Sequence, residues 1–152
     1  SFGILQSSVH EVWFRRRCST LGVGLRYTSK TVFDTFPWPQ DPGESAVVEV
    51  ARAAADLLEV REEASIAGLS LAAQYESLRE PGRNRLRDAS EALDRAVLHV
   101  YGFSAAKELD QQILLLNAEV NGSATSNGPG CGRFRDVAMV SDRYVRAPEL
   151  VT

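Results

Sequence analysis

The sequence predicts a mainly α protein, a small helical bundle preceded by an α+β fragment with one or two short strands. Three observations predict this class. Apolar residues recur at steps of three and four over much of residues 44–120, which is the period of a buried helix face. Residues 25–36 instead mix β-branched and aromatic residues, which favours extended chain. Between the two patterns, residues 36–39 (FPWP) contain two prolines, which interrupt regular hydrogen bonding.

The patterns divide the chain into three segments. In residues 1–40, a helix predicted at 2–17 ends in arginines, two glycines follow it, and the extended stretch comes next. Residues 41–120 form the predicted helical domain. Residues 121–152 begin with NGSATSNGPGCG, which predicts a flexible Gly/Ser-rich tail, and the alternation at 133–147 is compatible with a short hairpin.

Four helices are predicted in the helical domain. The first spans 44–66 and ends before Gly68, and a short second helix runs from a cap at Ser70 through Leu78. The third spans 83–101 and is closed by Gly102, and the fourth spans 105–120 after a cap at Ser104. The residues predicted to face the core are Val47, Val50, Ala51, Ala54, Leu57, Leu58, Leu86, Ala89, Leu93, Ala96, Val97, Val100, Tyr101, Leu109, Ile113, Leu116 and Val120.

Composition and charge bound the class of protein. Hydrophobic residues make up 44% of the chain and charged residues 24%, as in ordinary globular domains. No apolar run is long enough to cross a bilayer and no signal-peptide pattern is visible, so we expect a cytoplasmic protein without a membrane partner. The absence of an initiating Met suggests a piece of a longer protein. Cys18 and Cys131 favour two free thiols over one disulfide.

Charge is unevenly distributed within the net value of −3. Residues 1–40 carry five Lys or Arg against two acidic residues, whereas residues 41–78 carry two against eight. This division fits a segment that faces a polyanion and is joined to a solvated acidic support, although ordinary surface variation produces the same pattern.

Patterns for catalysis, nucleotide binding and metal binding are absent from the sequence. There is no GxSxG or SxxK string, and His10 and His99 lie in predicted helices, where structural roles are expected. Gly22-Val23-Gly24 and Gly128-Pro129-Gly130 do not meet the phosphate-binding patterns. The carboxylates at 44–63 repeat at helical spacing, which predicts a solvated face with i,i+4 pairs rather than a metal cluster. We therefore expect no catalytic, cofactor-binding or metal-binding residue in this chain.

Nucleic-acid contact is the chemistry that remains. A cluster of guanidinium, ammonium and hydroxyl donors in an extended segment suits contact with phosphates, and an Arg can also pair with guanine. The predicted DNA-binding residues are Arg15, Arg16, Arg26, Thr28, Ser29 and Lys30. The alternative is that the arginines at 15–17 only cap a helix and that Tyr27 packs inward.

Two stretches carry a resemblance to a known family. The first is SSVHEVW at 7–13, followed by LRYT at 25–28 and TVFDTFPWP at 31–39, and the second is YESL at 75–78, followed by residues 83–102. Together with LLLNAE at 114–119, they resemble the end of the target-recognition domain and the helical C-terminal domain of single-chain type II restriction–modification DNA methyltransferases. The resemblance extends over about residues 2–120.

The resemblance implies a concrete function. Such enzymes use S-adenosylmethionine to methylate the exocyclic amine of adenine at a defined site in double-stranded DNA, after flipping the base from the duplex. In that family the catalytic and cofactor motifs lie upstream, and neither string occurs here, so the cofactor would bind the upstream methyltransferase domain of the same chain. Residues 1–40 would complete the DNA-facing domain, in which the helix containing residues 7–13 would pack as a scaffold. Residues 44–120 would be a helical buttress, and the FPWP segment would be a rigid, packed corner. Arg83, Arg85 and Arg87 would be solvated surface, with phosphate contact as the alternative.

Two other functions stay open at this point. The acidic amphipathic helix at 44–66 is compatible with a non-catalytic helical protein–protein interaction module. A free-standing DNA-binding regulator is disfavoured by the negative net charge, because such domains are usually basic.

Overall fold

The computed structural model describes residues 2–21 and 24–122 of the chain. In this part, the helices are α1 (Phe2–Leu5), α2 (Ser8–Arg17), α3 (Glu44–Ile66), α4 (Leu71–Ser77), α5 (Arg85–Tyr101) and α6 (Leu109–Gly122), with a π-helix at Ser29–Phe33. Two short strands, β1 (Ser19–Leu21) and β2 (Gly24–Arg26), form an antiparallel pair. The predicted mainly α class is confirmed. The tail and hairpin predicted beyond residue 122 lie outside the described residues.

The core lies where α3 packs along α5 and α1 crosses both. The predicted face of α5 is confirmed, since Leu86, Leu93 and Val97 are buried and its other predicted members are partly buried. The crossing is close: a Cβ on Gly3 would lie 2.9 Å from a Val50 methyl group and 3.3 Å from a Leu93 methyl group. Glycine at position 3 therefore lets α1 approach the two long helices.

The predicted face of α3 is partly wrong. Val47 and Leu58 are 46% and 47% exposed, and Ala51 is also exposed. The buried line of this helix is rotated toward α1 and α5, and its members are Ala46, Val50, Ala53, Ala54 and Leu57. The carboxylates of α3 were also expected to pair with residues of α3 itself. In the described residues, the ion pairs of α3 are formed with another helix, so this expectation is wrong. Glu49 pairs with His99 and Glu63 with Arg85, both on α5.

The helix predicted at 2–17 is divided into two helices by an interruption at Gln6 and Ser7. The prediction of one continuous helix is therefore wrong. The Ser7 hydroxyl donates to the Ile4 carbonyl at 2.7 Å, which closes α1. The backbone N–H of Ser8, freed by the break, donates to the Asp94 carboxylate of α5 at 2.8 Å. A residue far away in the sequence thus satisfies the first donor of α2.

The ends of α4, α5 and α6 match the sequence prediction in two cases and differ from it in two. Ser70 caps α4 by accepting from the Ala73 N–H, and Gly102 ends α5 with a φ of 67°, both as predicted. α5 begins two residues later than predicted, after a cap by Asn84. α6 begins at Leu109 rather than at 105, because Ser104 lies in a turn that the Gln112 side chain holds by both backbone groups of Ser104.

The FPWP segment joins residues 1–40 to the helical domain. All four of its residues are buried, so the prediction that they pack is confirmed. The Tyr101 hydroxyl of α5 donates to the Pro37 carbonyl at 2.9 Å, and the Asn117 amide of α6 donates to the Thr35 carbonyl at 2.9 Å. The two parts of the chain are therefore held by side chains of α5 and α6 on both sides of the corner.

Candidate nucleic-acid interface

The β1–β2 hairpin and the π-helix carry four of the six predicted DNA-binding residues. Arg26 is the last residue of β2, is exposed and pairs across the hairpin with Ser19. Thr28 follows as the cap of the π-helix, and Ser29 and Lys30 are exposed in the first turn of that helix. The structure thus brings Arg26, Thr28, Ser29 and Lys30 together at one edge of the molecule.

The extended conformation predicted for 25–36 is wrong beyond Tyr27. The strand pairing ends at Arg26, and the chain turns at once into the π-helix, in which the Asp34 N–H donates to the Ser29 carbonyl at 2.8 Å. The β-branched Val32 is buried by this turn instead of standing in a strand. The hydroxyl groups of Thr28 and Thr31 bond to each other, so Thr28 is a structural member of the turn as well as a predicted contact.

α2 is the platform that holds the hairpin and the π-helix. The Trp13 indole N–H donates to the Val32 carbonyl at 3.0 Å, and Trp13 itself is 1% exposed. Tyr27, at the end of the hairpin, stacks on Phe14 with ring centroids 5.6 Å apart. The prediction that the helix containing residues 7–13 packs as a scaffold is confirmed. Tyr27 does pack on α2, although 45% of it remains exposed.

Arg15 and Arg16, the other two predicted contacts, are held in ion pairs. Arg15 donates two hydrogen bonds to Glu11 one turn earlier, and Arg16 reaches Asp110 of α6 at 2.8 Å. The side chains of the first pair are mostly exposed, and those of Arg16 and Asp110 are each nearly half exposed. Exposed pairs of this kind contribute only about 0.2–1 kcal/mol, so a phosphate can displace the carboxylates at little cost.

Of the arginines at the start of α5, two have bonds within the fold. Arg85 pairs with Glu63, and Arg87 donates to the carbonyls of Leu78, Glu80 and Gly82. Arg87 therefore holds the turn before α5. Arg83 and Arg85 are exposed, as predicted, whereas Arg87 is half-buried and stabilises a turn instead of being solvated surface.

Arg17 was not among the predicted contacts, and its setting differs from that of its neighbours. Its guanidinium lies over the Trp13 ring, 5.5 Å from the centroid. The i,i+4 spacing of Trp13 and Arg17 is the sequence signal that points to this contact.

Two titratable groups beneath the hairpin are perturbed by burial. Burial lowers the pKa of His10, which outweighs the raising effect of a hydrogen bond to the Leu5 backbone. Burial and the nearby Asp34 raise the pKa of Tyr27, so its hydroxyl stays protonated at neutral pH. The positive charge of this edge is therefore carried by its Arg and Lys side chains.

Comparisons with known proteins agree with this geometry. Two family models match: the MmeI target recognition domain over residues 1–40, and the MmeI C-terminal domain over residues 43–123. A solved structure of the type IIL restriction–modification enzyme MmeI in complex with DNA is similar, with a TM-score of 0.69 and 29% sequence identity. That similarity covers 80% of this chain and 16% of the other. Comparison with curated proteins gave no match.

These features define a module of a restriction–modification enzyme, with a target-recognition segment followed by a helical domain. The chain belongs to the MmeI family. The expected family is thereby confirmed. Within the described residues, no helix is long and apolar enough to cross a membrane, and no three His, Cys, Asp or Glu side chains form a metal-binding group.

Proposed function

We propose that this chain is the DNA-recognition and supporting C-terminal module of a site-specific, S-adenosylmethionine-dependent adenine-N6 DNA methyltransferase of a bacterial restriction–modification system. The observation that carries the proposal is the row of donors from Arg26 to Lys30, exposed except for the half-buried Thr28, in the segment that matches the MmeI target recognition domain. The solved relative is an enzyme in complex with DNA. The cofactor and the methyl transfer belong to an upstream domain, in the cytoplasm.

In this proposal the two parts of the chain have different tasks. The Arg26 guanidinium can form a bidentate pair with guanine in the major groove, while Lys30, Ser29 and Thr28 donate to phosphates that fix the register of the protein on the duplex. The helical domain keeps this edge in place through Tyr101 and Asn117. A rigid support lowers the entropy lost when the donors meet DNA.

Methyl transfer from labelled S-adenosylmethionine to duplex DNA by the full-length protein tests the proposal. Incorporation at adenines within one short motif is the expected result. A folded protein that binds the cofactor but transfers no methyl group to DNA would contradict it, and the alternative of a protein–protein interaction module would then be favoured. DNA binding separates the two as well, because affinity that depends on phosphate contacts falls steeply with salt.

Arg26→Ala in the full-length protein is expected to lower DNA affinity or to change the methylated site, with cofactor binding unchanged. Loss of a bidentate base pair corresponds to about 1–3 kcal/mol of discrimination. Methylated-site mapping and cofactor titration are the measurements. Arg79→Ala is the control, since Arg79 is an exposed arginine of another surface, paired with Glu76. Unchanged affinity together with an unchanged site would remove Arg26 from the interface.

A further inference from the structure

We propose that Arg17 contacts a phosphate of the DNA backbone, as a fixed anchor beside the donors already described. The inference rests on the proposed function of the chain. Three consecutive arginines end α2, and the structure gives each a different setting: Arg15 is paired with Glu11 and Arg16 with Asp110. In the described part of the chain, no carboxylate or carbonyl accepts a hydrogen bond from Arg17.

The Trp13 ring holds the Arg17 guanidinium in place. The charge lies over the indole at 5.5 Å from the ring centroid, and the indole is fixed by its hydrogen bond to the Val32 carbonyl. An arginine that is stacked on a buried aromatic ring has already lost much of its rotamer freedom. It therefore loses less conformational entropy when it binds an anion.

The Nε atom of Arg17 faces the interior of the protein, so an anion from outside would meet the terminal nitrogens of the guanidinium. The Nε atom is buried and has no hydrogen-bond partner among the described residues. A buried donor without a partner destabilises the folded protein unless another interaction compensates. A phosphate bound by the two terminal nitrogens can supply such compensation, because its oxygens accept charge-assisted hydrogen bonds from the guanidinium and neutralise its charge.

The position of Arg17 favours a phosphate over a base edge. Its side chain is partly buried against Trp13, which limits its reach, and phosphates are the outermost groups of the duplex. Arg17 precedes β1 by two residues, and the first residue of β1, Ser19, pairs with Arg26. The anchor thus lies at the same end of the hairpin as Arg26, which is free to reach a base.

Salt-dependent DNA binding by the full-length protein tests the inference, with Arg17→Gln and Arg17→Lys compared with the wild type on a short duplex of arbitrary sequence. Loss of one charged contact should weaken binding by Arg17→Gln about tenfold at low salt. It should also reduce the slope of log affinity against log salt by about 0.9. Arg17→Lys keeps the positive charge but lacks the planar pair of donors, so the slope should be retained while part of the affinity is lost.

Arg79→Gln is the matched control, because it removes an exposed arginine just after α4 and should leave affinity and slope unchanged. Thermal melting of each variant separates folding from binding. An Arg17→Gln protein that melts earlier but keeps the wild-type slope would show a purely structural role and overturn the inference. A changed methylated site with an unchanged slope would also overturn it, in favour of base contact. If Arg17→Gln has no effect while the wild type methylates its site, only this inference fails; a wild type that does not bind DNA refutes the proposed function as well.

Discussion

The side chain of His10 contacts both the end of the hairpin and the buried corner at 36–39. Its ring meets Phe36 edge-on with centroids 5.0 Å apart, and its Nε2 lies 3.3 Å from the Tyr27 hydroxyl. Phe36 belongs to the buried corner and Tyr27 to the end of the hairpin. Because the ring is half-buried, the charged form of the imidazole is disfavoured and its pKa is lowered.

Stability should therefore depend on pH through His10. A lowered pKa in the folded state favours the neutral imidazole, so this contribution to stability is fully present above the ordinary value of 6.5 and is lost as pH falls through the folded pKa. The free energy of unfolding, measured by urea titration on both sides of that value, should fall on the acid side. The decrease should be smaller in His10→Gln.

His99→Gln provides the control for this measurement, since it removes the exposed histidine that pairs with Glu49. It removes a histidine without touching the contacts of His10, so the part of the pH dependence that comes from His10 should remain. An identical pH dependence in the wild type and His10→Gln would show that His10 is hydrated in the folded protein, contrary to its burial here.

At the scale of single elements, α5 determines the stability of the helical domain. Leu93 is 1% exposed and lies at the crossing of α1, α3 and α5, next to Gly3. Leu93→Ala leaves a cavity that three helices cannot easily close. We expect a loss of about 2–5 kcal/mol in the free energy of unfolding.

Leu115→Ala is the matched control for Leu93→Ala, because Leu115 is a helical leucine that is 71% exposed. Its effect should stay within about 0.5 kcal/mol, as for other surface substitutions. Chemical denaturation of both variants under the same conditions makes the comparison. Equal effects at the two positions would show that Leu93 is not a core residue.

The elements also show what sequence can and cannot predict. α3 was predicted with its observed bounds, 44–66, because a long apolar period and the glycine after it are local signals. The break before Ser8 depends on Asp94, and the π-helix depends on Trp13 bonding to Val32, so both arise from contacts between residues distant in the sequence. The residue types of the candidate interface could be identified from the sequence, but their arrangement could not. The carboxylate partner of Arg16 and the helical turn at Ser29 depend on the three-dimensional structure.

At the scale of the whole molecule, the corner at 36–39 links two matched segments of an enzyme family. Tyr101→Phe removes the hydroxyl that donates to the Pro37 carbonyl and leaves that acceptor without this partner. A loss of about 0.5–1.5 kcal/mol in the free energy of unfolding is expected. Tyr75→Phe is the control, since the Tyr75 hydroxyl bonds to Arg61 in exposed surroundings and its loss should have little effect. If Tyr101→Phe unfolds at the same denaturant concentration as the wild type, the hydrogen bond to the Pro37 carbonyl contributes nothing to the free energy of unfolding.

Three part-buried hydrogen bonds between residues 1–40 and the helical domain have a common asymmetry, which the exposed Arg16–Asp110 and Gln6–Arg61 pairs do not share. Tyr101 and Asn117 donate to main-chain carbonyls, and Asp94 accepts from a main-chain N–H, so in each case the helical domain supplies the side chain and the other part supplies only backbone. Every amino acid except proline offers both of these backbone groups. Substitutions among the outward-facing side chains of the first forty residues therefore leave these attachments intact. Attachment through the backbone is therefore suited to evolutionary exchange, in which the same helical domain supports recognition segments with different surface side chains.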